Sequence, residues 1–249
     1  MFDVYSPAEV AVIFAAYLFA ATAKGVTGLG FSTTCLAIVA LTVGLKNALP
    51  LLIIPSISTN LMVMAGAGHF TETVRRFWPM YLATIPGVIA GLWLLGSVDG
   101  IAAGIALGVV LIGYCTFAYA NPNLRLPARL ERPLQPVSGL LTGIVNGTTG
   151  SQVMPSMPFL MALHMEKNRF VQAINISFTL SSLIMVIGLN RMGLFTTEGV
   201  VLSIIGTVFA VAGIRLGERV RDRLNADQFR LAVLAMLSVM GLVLIARGI

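Results

Sequence analysis

The sequence predicts an all-α, polytopic membrane protein built as two inverted repeats, each a broken, re-entrant helical hairpin plus three transmembrane helices. Three observations predict it. The 249 residues are 57% hydrophobic and 10% charged, whereas a soluble domain carries about 25% charged residues. Two long apolar stretches, 8–44 and 134–164, are interrupted by "KGVTGLG" and "NGTTGSQVMPSMP". The basic residues fall mostly on one side of a membrane only if each interrupted stretch enters and leaves on the same side.

Taken in order, the N-terminus "MFDVYSPAEV" has two acids and no basic residue. It lacks the basic n-region of a cleavable signal peptide, so the first apolar stretch is expected to stay in the mature protein. Residues 8–44 are too long for one span of about 20 residues and read as the first hairpin. Segments 48–67, 77–98 and 101–120 each have the length of a span. Pro50 and Pro55 are expected to bend the first of these. The stretch "NPNLRLPARLERPLQP" (121–136) reads as a linker. The second hairpin, 134–164, and spans 170–190, 198–214 and 228–246 complete the chain.

The two halves echo each other. At an offset of 121, Lys46 aligns with Lys167, Asn47 with Asn168 and Ser56 with Ser177. At 122, Gly25 meets Gly147, Thr27 meets Thr149 and Gly28 meets Gly150. The repeats are therefore placed at 1–122 and 134–249, with a cytoplasmic linker at 123–133.

Charge counting chooses how the interrupted stretches lie. If each crossed once, the basic residues would split seven to eight. As hairpins, they leave Arg75, Arg76, Arg125, Arg129, Arg132, Lys167, Arg169, Arg215, Arg219, Arg221, Arg223 and Arg230 on one side. Only Lys46, Arg191 and Arg247 remain on the other, with Lys24 in the membrane. The richer side is the cytoplasmic one, so both termini are expected outside the cytoplasm. Each half then crosses an odd number of times, the second is inverted relative to the first, and the two tips are expected to meet near the midplane, as in secondary transporters.

The tips carry the chemistry. Gly25, Gly28 and Gly30 allow a tight bend and close approach of a ligand. The helix leaving each tip, starting near 29–33 or 152–156, offers free N–H groups that suit an anion. Lys24 adds a full positive charge. Thr27, Ser32, Thr33, Thr148, Thr149, Ser151 and Gln152 add neutral donors, and Asn146, beside Gly147 and Gly150, stands opposite Lys24 in the repeat. No acid lies near either tip, so the site reads as an anion pocket. Two plainer readings stand beside this one: the glycines also suit close helix packing, and a lysine can snorkel or bond to carbonyls. Ser56, Thr59 and Asn60 share one helical face, as do Asn175, Thr179 and Ser182. These faces read as a pathway lining or as interhelical hydrogen bonding, with Ser56, Asn60, Asn175 and Thr179 the lining candidates.

Several function classes fall away. Aromatic and basic residues are not interleaved as in a nucleic-acid binder, so the net charge of +6 is a topology signal. Cys35 and Cys115 read as small buried hydrophobes, and two histidines build no metal cluster, so no cofactor or metal is expected. The chain has neither a phosphate-binding G-x-x-x-x-G-K-[ST] nor an H-E-x-x-H or G-x-S-x-G, which argues against ATP use and against an enzyme. Trp78, Tyr81, Tyr114 and Tyr119 read as packing residues and interfacial anchors.

"AATAKGVTGLGFSTTCLAIVAL" and its echo "SGLLTGIVNGTTGSQVMPSMPFLMAL" resemble the two signature repeats of the sulfite exporter TauE/SafE family. The resemblance covers nearly the whole chain and is most specific at "GLLTGIVNGTTG". It implies a bacterial inner-membrane transporter for small sulfur-containing or organic anions, such as sulfite and sulfonates. The chain departs from the family pattern at "FSTT" after the first break and "SQVMP" after the second, positions that would touch the ligand. The functional expectation is an alternating-access transporter with its anion between the tips; an anion channel of the same architecture is the alternative. The expected partners are the anion and the lipid bilayer. The coupling ion, H+ or Na+, and assembly as a homodimer stay open.

Overall fold

The computed structural model describes residues 4–27, 30–121, 124–220 and 226–247. Among them are ten helices and no strand: α1 (Pro7–Thr27), α2 (Phe31–Val43), α3 (Leu45–Ala67), α4 (Phe70–Ser97), α5 (Gly100–Ala120), α6 (Ala128–Thr149), α7 (Ser156–Met161), α8 (Lys167–Arg191), α9 (Thr197–Val220) and α10 (Ala226–Ala246). Local chemistry sets several of the ends. Pro7 opens α1 at the position where a missing N–H costs nothing. Ser6 and Glu9 close a reciprocal cap, with the Ser6 N–H donating to Glu9 Oε2 at 2.7 Å and the Glu9 N–H to Ser6 Oγ at 3.3 Å. Asp99 caps α5 by accepting from the Ala102 N–H at 2.6 Å.

Six helices are long and apolar enough to cross a membrane: α1, α3, α4, α5, α8 and α9. Five match expected spans. Two details differ from expectation. Helix α1 runs through Lys24 and Gly25 to Thr27, so the break falls later than the lysine and the first arm is about 31 Å long at 1.5 Å per residue. Helix α10 contributes a shorter apolar stretch, Leu231–Ala246. Helix α3 stays continuous through Pro50 and Pro55, as membrane helices allow when neighbours cover the freed carbonyl groups.

Residue contacts give the helix directions. Tyr17 Oη donates to the Leu51 carbonyl at 2.7 Å and Lys24 reaches Asn60 at 2.5 Å, so α1 and α3 run in parallel. This register sets Pro7 level with the start of α3, so the first hairpin begins and ends on one face. The second hairpin closes visibly: the Leu126 N–H donates to the Ala162 carbonyl at 2.9 Å, and His164 Nε2 lies 2.9 Å from the Leu124 carbonyl. Helices α3 and α8, which correspond in the repeat, run antiparallel. Asn60 and Asn175 meet around Lys24, and Gln172 sits against the carbonyls of Met64 and Gly68, 3.0 and 2.6 Å away once its amide is turned to donate. Helices α5 and α10 are antiparallel too, with Gly108 against Gly241 and Cys115 against Leu234. The halves are thus related by inversion.

They are also interlocked. Helix α1 lies along α9 of the other half, and α6 lies along α4 of the other half. Both contacts are backbone on backbone. A Cβ on Gly147 would sit 2.4 Å from the Val88 carbonyl oxygen, and one on Gly25 would sit 2.4 Å from that of Ile214. Such crossings are how membrane helices associate closely.

Chain ends group into two faces. One gathers Arg76 with Glu131, and Arg169 with Glu72 and Glu166. The other gathers Lys46, which donates to the Val98 carbonyl at 2.6 Å, and Arg247, whose guanidinium meets the Leu41 carbonyl. Between the faces the outward surface is apolar, with Leu82, Ile89 and Trp93 of α4 and Ile204 and Val208 of α9 all exposed. Lipid is the natural neighbour of such a belt.

Replacing Gly143, whose Cβ would sit 2.5 Å from the Thr84 carbonyl oxygen, with Ile should lower stability by at least about 2 kcal/mol. Gly113→Ile, where no atom lies within 4 Å, should leave the melting temperature of the purified protein near wild type. Cysteines introduced at Arg125 and Lys167 should be labelled from one side of the membrane and one at Arg191 from the other; opposite labelling of the first two would end the hairpin description.

Candidate functional site

Each break is built around a left-handed glycine. Gly30 (φ 93°) precedes α2 and Gly150 (φ 74°) ends α6, a backbone region that side chains rarely adopt. The helices that leave the breaks start at Phe31 and Ser156, as expected. The tips do not meet end to end. A Cβ on Gly150 would sit 2.2 Å from Leu49 and 3.0 Å from Leu36, more than a turn beyond the start of α2. The long arms α1 and α6 carry each tip past the other, so the second tip lies against the flank of α2.

Lys24 stands at the first tip, 3% exposed. Its ammonium donates to Asn60 Oδ1 at 2.5 Å, Asn175 Oδ1 at 3.3 Å and Thr59 Oγ1 at 3.4 Å. These acceptors come from α3 in the first half and α8 in the second. All are neutral, and no carboxylate pairs with Lys24 among the described residues. Three acceptors match three ammonium protons, but nothing balances the charge. The lysine is therefore held by the two polar faces read from the sequence.

A small cavity reaches Ser56, one turn of α3 before Asn60, and is lined by residues of both tips and of the helices between them. Ser32, Ser56, Asn146, Gly150, Gln152 and Ser182 form its polar part, and Leu36, Leu49, Leu52, Ile53 and Met185 the rest. Ser32 and Ser56 are hydrogen-bonded at 2.7 Å. Gln152 donates to Ser182 Oγ at 3.0 Å and to the Phe178 carbonyl at 3.3 Å. The cavity holds about 30 Å³, the share of one water molecule in the liquid. Several buried donors on α3, α8 and the second tip are unused: Asn60 Nδ2, Asn146 Nδ2, which lines the cavity, and the hydroxyls of Ser151, Ser177 and Thr179 have no partner. Buried polar groups are normally paired; here unused donors stand together with one unused acceptor, the Gln152 amide oxygen.

Other sequence candidates lie elsewhere. Gly25 and Gly147 face α9 and α4 and serve the helix crossings. Thr148 donates to the Ile144 and Gly91 carbonyls at 2.9 and 3.2 Å, so it also points at α4. Thr149 Oγ1 donates to the Val145 carbonyl at 2.7 Å and accepts from the Ser151 N–H at 3.2 Å. Thr33 and Gly30 open onto a separate, apolar cavity of about 210 Å³ with Thr34, Met157 and Phe170. Gly28 lies outside the described residues, as does the Thr27 side chain. Thr34, fully buried with an unpartnered hydroxyl, was missed; one threonine in "STT" looks like the next. The Thr142–Ser156 pair at 2.7 Å, which ties the arms of the second hairpin together, was missed for want of a spacing signal.

No curated protein and no solved structure matches this chain. The family model for the sulfite exporter TauE/SafE family matches residues 13–244, nearly the full length of a chain with two interrupted hairpins and six long apolar helices. The chain belongs to the sulfite exporter TauE/SafE family of membrane transporters for sulfite and related anions.

Proposed function

We propose that this protein is a secondary transporter that carries a small sulfur-containing or organic anion, such as sulfite or a sulfonate, across the inner membrane by alternating access. The anion binds between Lys24 and the second tip. Asn60 and Asn146 donate from either side, and Ser32, Ser56, Ser151 and Gln152 complete the shell. The observation that carries this reading is the Lys24 ammonium, buried among neutral oxygens with no counter-ion among the described residues. An isolated buried charge is costly, and an anion at this point would offset it while using the idle amide donors.

The bound state requires movement. A cavity with room for one water is too small for an anion of four or more heavy atoms, so the tips must part for it to enter. The interlocked packing suggests which bodies move. The first hairpin is bound to α9 and the second to α4, so the rocking units are these mixed groups rather than the two halves of the sequence. The arginine-rich face is the cytoplasmic one by the positive-inside rule, which puts both termini outside.

Lys24→Met replaces an unpaired charge with an apolar chain of similar length. It should leave the protein folded and weaken sulfite or sulfonate binding by about thirtyfold or more, the usual result of removing one partner of a buried charge pair. Calorimetry on the purified protein reads this directly, and an unchanged Kd would remove Lys24 from the site. Asn60→Leu and Asn146→Leu should each weaken binding by about fivefold; a loss in only one would argue against a site shared between the two halves. In liposomes, uptake should saturate and show counterflow, whereas unitary currents would favour a channel.

A further inference from the structure

On the arginine-rich face, away from the tips, α4 and α6 leave a cleft of about 530 Å³ lined by Arg75, Arg76, Trp78, Glu131, Arg132 and Gln135. Arg76 is committed, with Nε and Nη2 donating to the two Glu131 oxygens at 2.6 and 2.9 Å. Arg75 and Arg132 are exposed and have no carboxylate partner among the described residues. The cleft therefore keeps two uncommitted guanidinium groups, which suit an oxyanion such as a phosphate or carboxylate.

Gln135 gives the second, independent sign. It is 1% exposed, and neither its amide nitrogen nor its amide oxygen has a partner. A ligand that satisfied both ends would need an acceptor and a hydroxyl donor close together. The surroundings indicate where such a ligand sits. Trp78 is 56% exposed, a residue favoured at the headgroup level of a bilayer. One turn past Trp78 on α4, and nearly two turns past Gln135 on α6, Leu82 and Leu141 face outward, at acyl-chain depth.

We propose that this cleft binds the phosphodiester headgroup of an anionic, glycerol-bearing phospholipid. Arg75 and Arg132 clamp the phosphate, Gln135 meets a headgroup oxygen and hydroxyl, and the acyl chains lie over Leu82 and Leu141. A zwitterionic headgroup is disfavoured because its ammonium would face the same arginines. The shared chemistry is a phosphate ester, which a soluble metabolite could also supply. Basic clefts between membrane helices on the cytoplasmic side are a recurrent form of lipid-headgroup site.

The test is thermal stability of the full-length protein in detergent, titrated with phosphatidylglycerol, phosphatidylethanolamine or glycerol 3-phosphate. Phosphatidylglycerol should protect saturably and phosphatidylethanolamine should not. The exposed double variant Arg75→Gln/Arg132→Gln should weaken apparent lipid affinity about twenty-fivefold, from a factor of about five per basic residue. Gln135→Leu should weaken it as well, while leaving the melting temperature without lipid at or above wild type. Equal protection by both lipids, or an unchanged response in the double variant, would overturn the proposal. Protection by glycerol 3-phosphate equal to that by phosphatidylglycerol would assign the cleft to a soluble phosphate ester and overturn the lipid assignment.

Discussion

Backbone groups in a bilayer core have no water to turn to, so a broken helix survives there only where protein covers it. That constraint organises this molecule. The break at Gly150 lies against Leu36 and Leu49 of the opposite half, and the cavity onto which Gly30 opens is walled by Val153, Met157, Phe170 and Leu234 of the opposite half. The covering helix must come within backbone distance, which is why Gly25 lies on α9 and Gly147 on α4 without room for a Cβ. The inverted arrangement follows from the same requirement. Two hairpins entering from opposite faces each shield the other's tip, and α3 and α8 fill the space between.

The polar interior is organised around one charge. Lys24 draws Thr59 and Asn60 from α3 and Asn175 from α8 into a single cluster, so it ties the halves together. Its repeat counterpart, Asn146, is neutral and has an unpaired amide nitrogen. The symmetry of the helices therefore does not extend to the electrostatics. The positive potential belongs to the first tip, and the second tip offers hydrogen bonds alone.

Much of this was legible in the residues. The breaks were marked by clustered glycines and threonines, the inversion by the charge count, and the polar faces by the spacing of Ser56, Asn60 and Asn175. What could not be read was where a small residue turns. Gly25 and Gly30 look alike in the string, yet one serves a helix crossing and the other a left-handed turn. The tips share a cavity but overlap rather than abut. The stretch KGVTGLG does not say where within it the helix ends: α1 runs on past Lys24 to Thr27, and the Lys24 ammonium is met by side chains of other helices. Gln135 drew no notice because its isolation depends on which helices surround it, and no local pattern encodes that.

The single charge has an electrical consequence. On the binding mode proposed here, a monovalent anion beside Lys24 forms a neutral loaded carrier, on which the membrane potential exerts no force. A divalent anion leaves one net negative charge. An inside-negative potential would then favour its outward passage by about 2.3 kcal/mol for each 100 mV, if the charge crosses the full field. The empty carrier, with its lysine exposed to the same field, would respond in the opposite sense. A site with one cation and no acid thereby makes the valence of the cargo decide whether voltage helps or ignores the loaded step.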